Sequence, residues 1–238
     1  MFLQEITNSA PLCLGGYIHL QECEGGLPRP IKGFTVFRMR RSELLVTNRL
    51  EAITILEQAH VGHLGLVRDD GWPRVAPLNF VFHDGRIYFH GAADGEKYGI
   101  LKQGPKVAFS ADIPYSMIPS YWFSSTLACP ATQLFKSVHI RGIAEVVADV
   151  KEKAGALAMI MKKYQPEGKH DPIDPRDPAY SGHLEKTAVF RIRIEEMVVK
   201  EKFGQNLSAA SREELAQKLD KRGLPIDRRS ALEIKKTL

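Results

Sequence analysis

Between His60 and His90 the chain runs in short apolar bursts punctuated by turn residues: HVGHLGLV, then RDDGWP, then RVAPLNFVF, then HDG, then RIYFH. The pattern predicts three strands joined by two tight turns. Asp70-Gly71 and Asp84-Gly85 supply the turns, because Asp and Gly tolerate the positive φ of hairpin loops. Pro77 interrupts the second strand. It has no N–H to give to a ladder, so that strand is expected at a sheet edge, bulged, or against a ligand.

Downstream, GAADG breaks the strand pattern and EKYGILKQ reads as a short helix, with Asp94 placed to cap it. GPKVAFSADI returns to strand. Residues 114–133, carrying Pro114, Pro119, Pro130, Tyr121 and Trp122, are expected to form a long irregular excursion, a feature more often functional than idle. In LFKSVHIRGIAEVVAD, Phe135, Ser137, His139 and Arg141 alternate with Val138 and Ile140, the signature of a long strand. A helix is expected from Val150 to Tyr164, a polar, Pro-rich loop over QPEGKHDPIDPRDPAYSG, and one more strand or a bent pair over TAVFRIRIEEMVVKEKFG. Ser211–Arg222 is a final amphipathic helix. Upstream, the imperfect apolar side of Glu43–Ala59 predicts another helix, and the Gly- and Pro-rich residues 1–35 an extended arm.

Antiparallel strands with short turns and inserted helices, without repeated βαβ units, predict an α+β fold: a mixed β-barrel with α-helices inserted between its strands. The barrel is placed at 36–204 and a helical C-terminal extension at 205–238. There is no GxGxxG and no P-loop. Composition adds exclusions. At 44% hydrophobic residues the chain can bury a core without disulfides, and no apolar run reaches the roughly 20 residues of a membrane-spanning helix. The start lacks the n-region of a signal peptide, so a cytoplasmic location is expected. Cys13, Cys23 and Cys129 form no CxxC. His60 and His63 have a metal-site spacing but no second ligand pair, and read as a capping or surface pair. The net charge of +5 suits small anions; no nucleic-acid-binding motif accompanies it, and a solvated surface accounts for most of the charge.

A flavin mononucleotide needs a cation and backbone N–H donors for its phosphate, and an apolar slot with a few fixed hydrogen bonds for its ring. FHGAADGEK has the form of a strand–Gly-loop–helix junction, and Lys97 in its first helical turn is unfavourable unless an anion sits nearby. The succession RVAPLNF, IYFHGAADGEK, QGPKVAFS and KSVHIRG resembles the FMN-binding split-barrel family that includes pyridoxamine-phosphate oxidase. The oxidase's RMVLLK, SRK and RQVRIEG have counterparts in Arg74–Asn79, Gly95–Lys97 and Lys136–Gly142. IYFHGA and TAVFRIRIEE are more similar still to the nitroimidazole-reductase branch.

The resemblance implies a split β-barrel binding FMN between two subunits of a homodimer and reducing a small electrophile. Val75, Pro77, Leu78 and Asn79 would line the ring, His90, Gly91 and Ala92 would pass beside the ring and ribityl chain, Lys97 would pair with the phosphate, and Arg74 is a second phosphate candidate. Ser137 stands where the oxidase has a flavin-binding Gln. His90 is the candidate acid–base residue, since imidazole titrates near neutrality; it reads equally as a strand-end His satisfying a loop carbonyl. VVKEKFGQN lacks the oxidase's Arg-Leu-His segment, which argues against pyridoxamine phosphate as substrate. It resembles the tail of PaiB-like flavin-binding regulators, where Lys202, Gln205 and Asn206 would reach the flavin or a partner; a solvated strand end is the plainer reading. A non-catalytic flavin-binding or regulatory protein, and a split barrel holding haem or a deazaflavin, stand as alternatives.

Overall fold

The structure, a computed structural model, describes residues 41–238. The arm expected over 1–35, with Cys13 and Cys23, lies outside the described residues. Among the described residues eight strands make one antiparallel sheet: β1 (Leu45–Val46), β2 (Gly62–Val67), β3 (Pro73–Leu78), β4 (Phe80–His83), β5 (Arg86–Ala92), β6 (Lys106–Ile118), β7 (Thr132–Val146) and β8 (Thr187–Lys202). Their order is β3-β2-β6-β7-β8-β5-β4, with β1 beside β8. β3 and β4 sit at opposite ends of that order, yet only Asn79 separates them in sequence. The chain therefore steps from one sheet edge to the other in a single residue, and the sheet curls round into a split barrel. Pro77 lies on the edge strand β3, opposite His63, where its missing N–H costs least.

The hairpin chemistry read from the sequence is present. β4 and β5 are joined by Asp84 and Gly85 alone, and both have positive φ, 46° and 73°, as a two-residue primed turn demands. Inside the barrel Phe89 stacks on Phe190 with centroids 5.2 Å apart, and Phe80 meets Phe109 edge-on at 4.9 Å. Among the described residues six α-helices surround the sheet: α1 (Arg49–Gln58), α2 (Gly95–Leu101), α3 (Val150–Tyr164), α4 (Pro178–Lys186), α5 (Ala209–Arg222) and α6 (Pro225–Lys235). None among the described residues is long and apolar enough to cross a membrane.

The corner at Asn79 is pinned from α3. The Tyr164 hydroxyl accepts from the Phe80 N–H at 3.0 Å and donates to the His60 carbonyl at 2.8 Å, tying β4 to the entry of β2. Tyr164→Phe leaves the buried Phe80 N–H without that partner. It should lower stability by about 1–2 kcal/mol, read as a shifted urea midpoint. An unmoved midpoint would show that the corner holds without the hydroxyl.

Five expectations need correction. The one strand expected over RVAPLNFVF breaks at Asn79 into β3 and β4, so the stretch from His60 to His90 holds four strands and not three. The helix expected from Glu43 begins only at Arg49: Leu45 and Val46 pair with Lys200 and Val199 as β1, and the Asn48 side chain caps the helix through the Leu50 N–H at 3.0 Å. The excursion expected over 114–133 shrinks to 119–131, because β6 continues to Ile118 and absorbs Pro114 with a register shift before Met117. The Pro-rich segment after Gln165 is not all loop; Asp177 caps α4 and Pro178 opens it. A second C-terminal helix, α6, follows α5. Leu215, Ala216 and Leu219 of α5 and Ala231 and Ile234 of α6 join the same core as the barrel. A buried polar knot fastens them to β6: Ser116 Oγ donates to Asp227 Oδ1 at 2.5 Å, Ser230 Oγ donates to Ser116 Oγ at 2.8 Å, and Arg222 grips Asp227 with two nitrogens at 2.6 and 2.8 Å.

Candidate functional site

Arg74 on β3 and Lys97 in the first turn of α2 are far apart in sequence, but the curled sheet brings them together. Their like charges interact, and the Lys97 ammonium is held below its ordinary pKa by burial and then by Arg74. Glu96 is engaged by Arg74 and by Arg68, the latter at 2.8 Å. Lys97 has neither a carboxylate nor a hydrogen-bond partner among the described residues. Its stem crosses β5 over Gly91. A Cβ at Gly91 would lie 2.9 Å from Lys97 Nζ and 3.2 Å from its Cε, so the glycine makes the lane in which the ammonium lies. A partly desolvated cation beside another cation, without a counter-ion of its own, fits an anionic group such as a flavin phosphate.

Other parts of the junction are less open than the sequence implied. Asp94 occupies the N-cap position of α2 but its side chain makes no cap bond, and the Ala93 N–H is already donated to the Lys186 carbonyl at 3.2 Å. Ala92 ends β5 opposite Thr187, exposed. His90 is on the same strand, opposite Val189, at the surface but with its ring partly desolvated by its neighbours, and that desolvation, then the Lys97 charge, lowers its pKa. It is therefore neutral at neutral pH and forms no hydrogen bond among the described residues, so it does not satisfy a loop carbonyl. If His90 only touches a bound cofactor, His90→Ala should retain flavin and lose less than about threefold in turnover. A loss of 10²-fold or more would make it the proton donor.

The faces of β3 point two ways. Arg74, Ala76 and Leu78 share one side, and Leu78 packs against the core; Val75 and Pro77 face outward, and Asn79 is exposed at the corner. On the outer face the register aligns Pro77, His63, Ser110, His139 and Val198 in one row across five strands. The next row is Val75, Gly65, Ala108, Arg141 and Glu196. Together they border a groove of about 460 Å³, with Lys200 at one end. His139 is held below its ordinary pKa by burial and by Lys200, with Asp112 opposing. Ser137 is buried one row further on, between Asp112 and Lys200, with its Oγ 3.4 Å from His139 Nε2.

The site residues read from the sequence thus separate into an anion cluster (Arg74, Gly91, Lys97, with His90 beside it) and a groove that Val75 lines. Of the groove's histidines, His63 stood out in sequence only through its spacing from His60, and His139 only as one residue of an alternating strand. The alternation in KSVHIRG already put His139 on the face of Ser137, but only the β2–β6–β7 register sets His63 in the same row. In the tail, Gln205 is internally committed: it accepts from the Phe203 N–H at 2.7 Å and donates to the Glu201 carbonyl at 3.1 Å. Lys202 and Asn206 line a separate pocket beside α5.

The architecture has solved counterparts. A candidate 5-nitroimidazole antibiotic resistance protein from Bacteroides thetaiotaomicron matches at 20% identity and a TM-score of 0.55, over 66% of this chain and 86% of that one. The flavocytochrome Anf3 from Azotobacter vinelandii matches at 23% and 0.58, over 69% and 72%. An FAD- and haem-binding protein from Mycobacterium smegmatis matches at 20% and 0.56, over 70% and 77%. At these identities the likeness establishes the fold. No curated protein sequence matches the chain. Residues 48–201, from the Asn48 cap through Glu201 near the end of β8, match the family model described as pyridoxamine 5'-phosphate oxidase, and the chain belongs to that family.

Proposed function

We propose that this protein is a flavin-dependent oxidoreductase that binds FMN and reduces a small electrophile, as the resemblance to nitroimidazole reductases implies. The observation that carries the reading is the Arg74–Lys97 pair, with Lys97 laid over Gly91 and no carboxylate of its own. Lys97 would hold the phosphate, Arg74 would add charge while staying bound to Glu96, and Val75 to Asn79 would run along the ring. Ser137, shorter than the Gln of the oxidase, would leave its ring contact to a water or to neighbouring His139. Bound flavin would supply the redox chemistry, accepting electrons and passing them on. The chain's own part is to hold the phosphate, exclude water from one face, and present His90 as a neutral hydrogen-bonding group.

A homodimer completes the reading. The outer face of β2 and β3 exposes Val67 and Val75, with Val61 exposed just before β2 and Trp72 in the hairpin loop. A second copy seated on that face would bury these residues and close the slot.

A second reading is haem in the outer groove. His63 and His139 face one apolar slot across Ser110, an arrangement suited to an axial ligand and a flat macrocycle. The absorption spectrum of the purified protein separates the two. The flavin reading expects paired bands in the near-ultraviolet and blue that are released on denaturation. A Soret band with no flavin would replace it with haem, and a colourless protein that ignores added FMN would defeat both.

A further inference from the structure

Beyond the groove, the outer face of β8 continues from Lys200 to Lys202 and enters a second pocket of about 410 Å³. It lies between the 119–131 connection, the start of β7, the end of β8 and α5. Its floor is apolar: Ile118, Leu134 and Leu215 are buried, and Leu207 packs beside them. Its rim is cationic, with Arg41 and Lys202, and Asn206 adds an amide.

The charge balance there is one-sided. Lys202 Nζ donates to Thr132 Oγ1, and among the described residues neither Lys202, Lys200 nor Arg41 is paired with a carboxylate. Burial, then the charges of Arg41 and Lys200, hold the Lys202 ammonium below its ordinary pKa. A pocket that needed only structural closure would be better served by an uncharged residue at Lys202, since partly burying an unpaired ammonium is costly. The volume falls within the range of small-molecule sites, about 300–1,000 Å³.

We propose that this pocket binds a small amphipathic anion, a carboxylate on an apolar body, with the carboxylate on Lys202 and Arg41 and the body on Ile118, Leu134 and Leu215. The site stands apart from the Arg74–Lys97 cluster, and its test does not depend on a flavin.

The probes are decanoate and its uncharged counterpart decanol, titrated into the full-length protein as purified. Binding is followed by calorimetry, and through the fluorescence of Trp122 in the adjoining connection. Decanoate should bind at least about tenfold more tightly than decanol, the margin of one charge-assisted hydrogen bond. Lys202→Met keeps the aliphatic stem and should erase that preference; Lys202→Arg should preserve it. Arg41→Ala, at an exposed position, should reduce the preference without touching the core. Thermal unfolding of each variant checks that the fold is retained. Equal affinity for decanoate and decanol, a preference that survives Lys202→Met in a folded protein, or no binding of either probe would overturn the proposal.

Discussion

Replacing Lys136 by methionine should cost about 3–5 kcal/mol of folding stability, the range expected when one partner of a buried charge cluster is removed. The Lys136 side chain is only 6% exposed, and its ammonium reaches three carboxylates: Glu51 on α1, Glu201 on β8 at 3.2 Å and Glu233 on α6 at 3.0 Å. Burial alone would push the Lys136 pKa down; the bonds to Glu51 and Glu233 and the charge of Glu201 outweigh it and hold it up. Methionine fits the aliphatic space but leaves the carboxylates facing one another. Lys236 also pairs with Glu233 at 2.8 Å, so the surplus negative charge falls on Glu201 beside Glu51. Burial first, then its contact with Glu51, pushes its pKa up to about 7, so Glu51 and Glu201 share a proton at acidic pH.

A raised carboxylate pKa sets the sign of a pH effect. Folded Glu201 binds a proton between its unfolded value near 4.5 and its folded value near 7, and the unfolded chain does not. Its contribution is therefore full below 4.5 and is lost as pH rises through 7. Glu201→Gln removes that dependence. The difference between urea-unfolding profiles of the parent and Glu201→Gln should change mainly between about pH 4.5 and 7 and level off below about pH 4 and above about pH 8. Glu201→Gln should also recover part of the stability lost in Lys136→Met. A Lys136→Met protein within about 1 kcal/mol of the parent at pH 7 would mean that the cluster is hydrated and not a fastening of α1 and α6 to the sheet.

This cluster also marks where sequence reading stops. Lys136 stands in KSVHIRG as one polar residue of an alternating strand, and nothing local says that Glu51, Glu201 and Glu233 converge on it. Turns and edges were legible because their causes are local: Asp84-Gly85 tolerates positive φ, and Pro77 cannot donate to a ladder. Helix α3 was legible from end to end because Asp149 caps it and its apolar positions recur at helical spacing. The two-residue strand β1 was not, since so short a run carries no period. Helices α4 and α6 were hidden for a related reason: each opens on a proline, Pro178 or Pro225, in a stretch that otherwise reads as a turn. Candidate chemistry divided the same way. Arg74 and Lys97 stood out through their motifs, whereas the row shared by His63 and His139 exists only through the pairing of β2, β6 and β7.

The anion cluster makes the other large prediction. Lys97→Ala should weaken FMN binding by about 10- to 100-fold, the worth of one charge-assisted contact at about 1.4 kcal/mol per tenfold, and leave the unfolding midpoint in place. Arg74→Ala should cost less, because Arg74 is already spent in part on Glu96. Gly91 gives a sharper version. An alanine Cβ there would meet the far end of the Lys97 side chain and no backbone atom within 3.4 Å, so the fold can absorb it by moving the lysine aside. Gly91→Ala should then lose a large part of what Lys97→Ala loses, with stability nearly unchanged. The two effects should not add: once the ammonium is gone, the methyl group has nothing left to displace. FMN fluorescence quenching on titration into the apoprotein measures all four proteins, the parent, both single variants and the double. Additive losses would mean that Gly91 acts on the ring or ribityl chain directly, and an unchanged affinity in Lys97→Ala would take the phosphate away from α2 altogether.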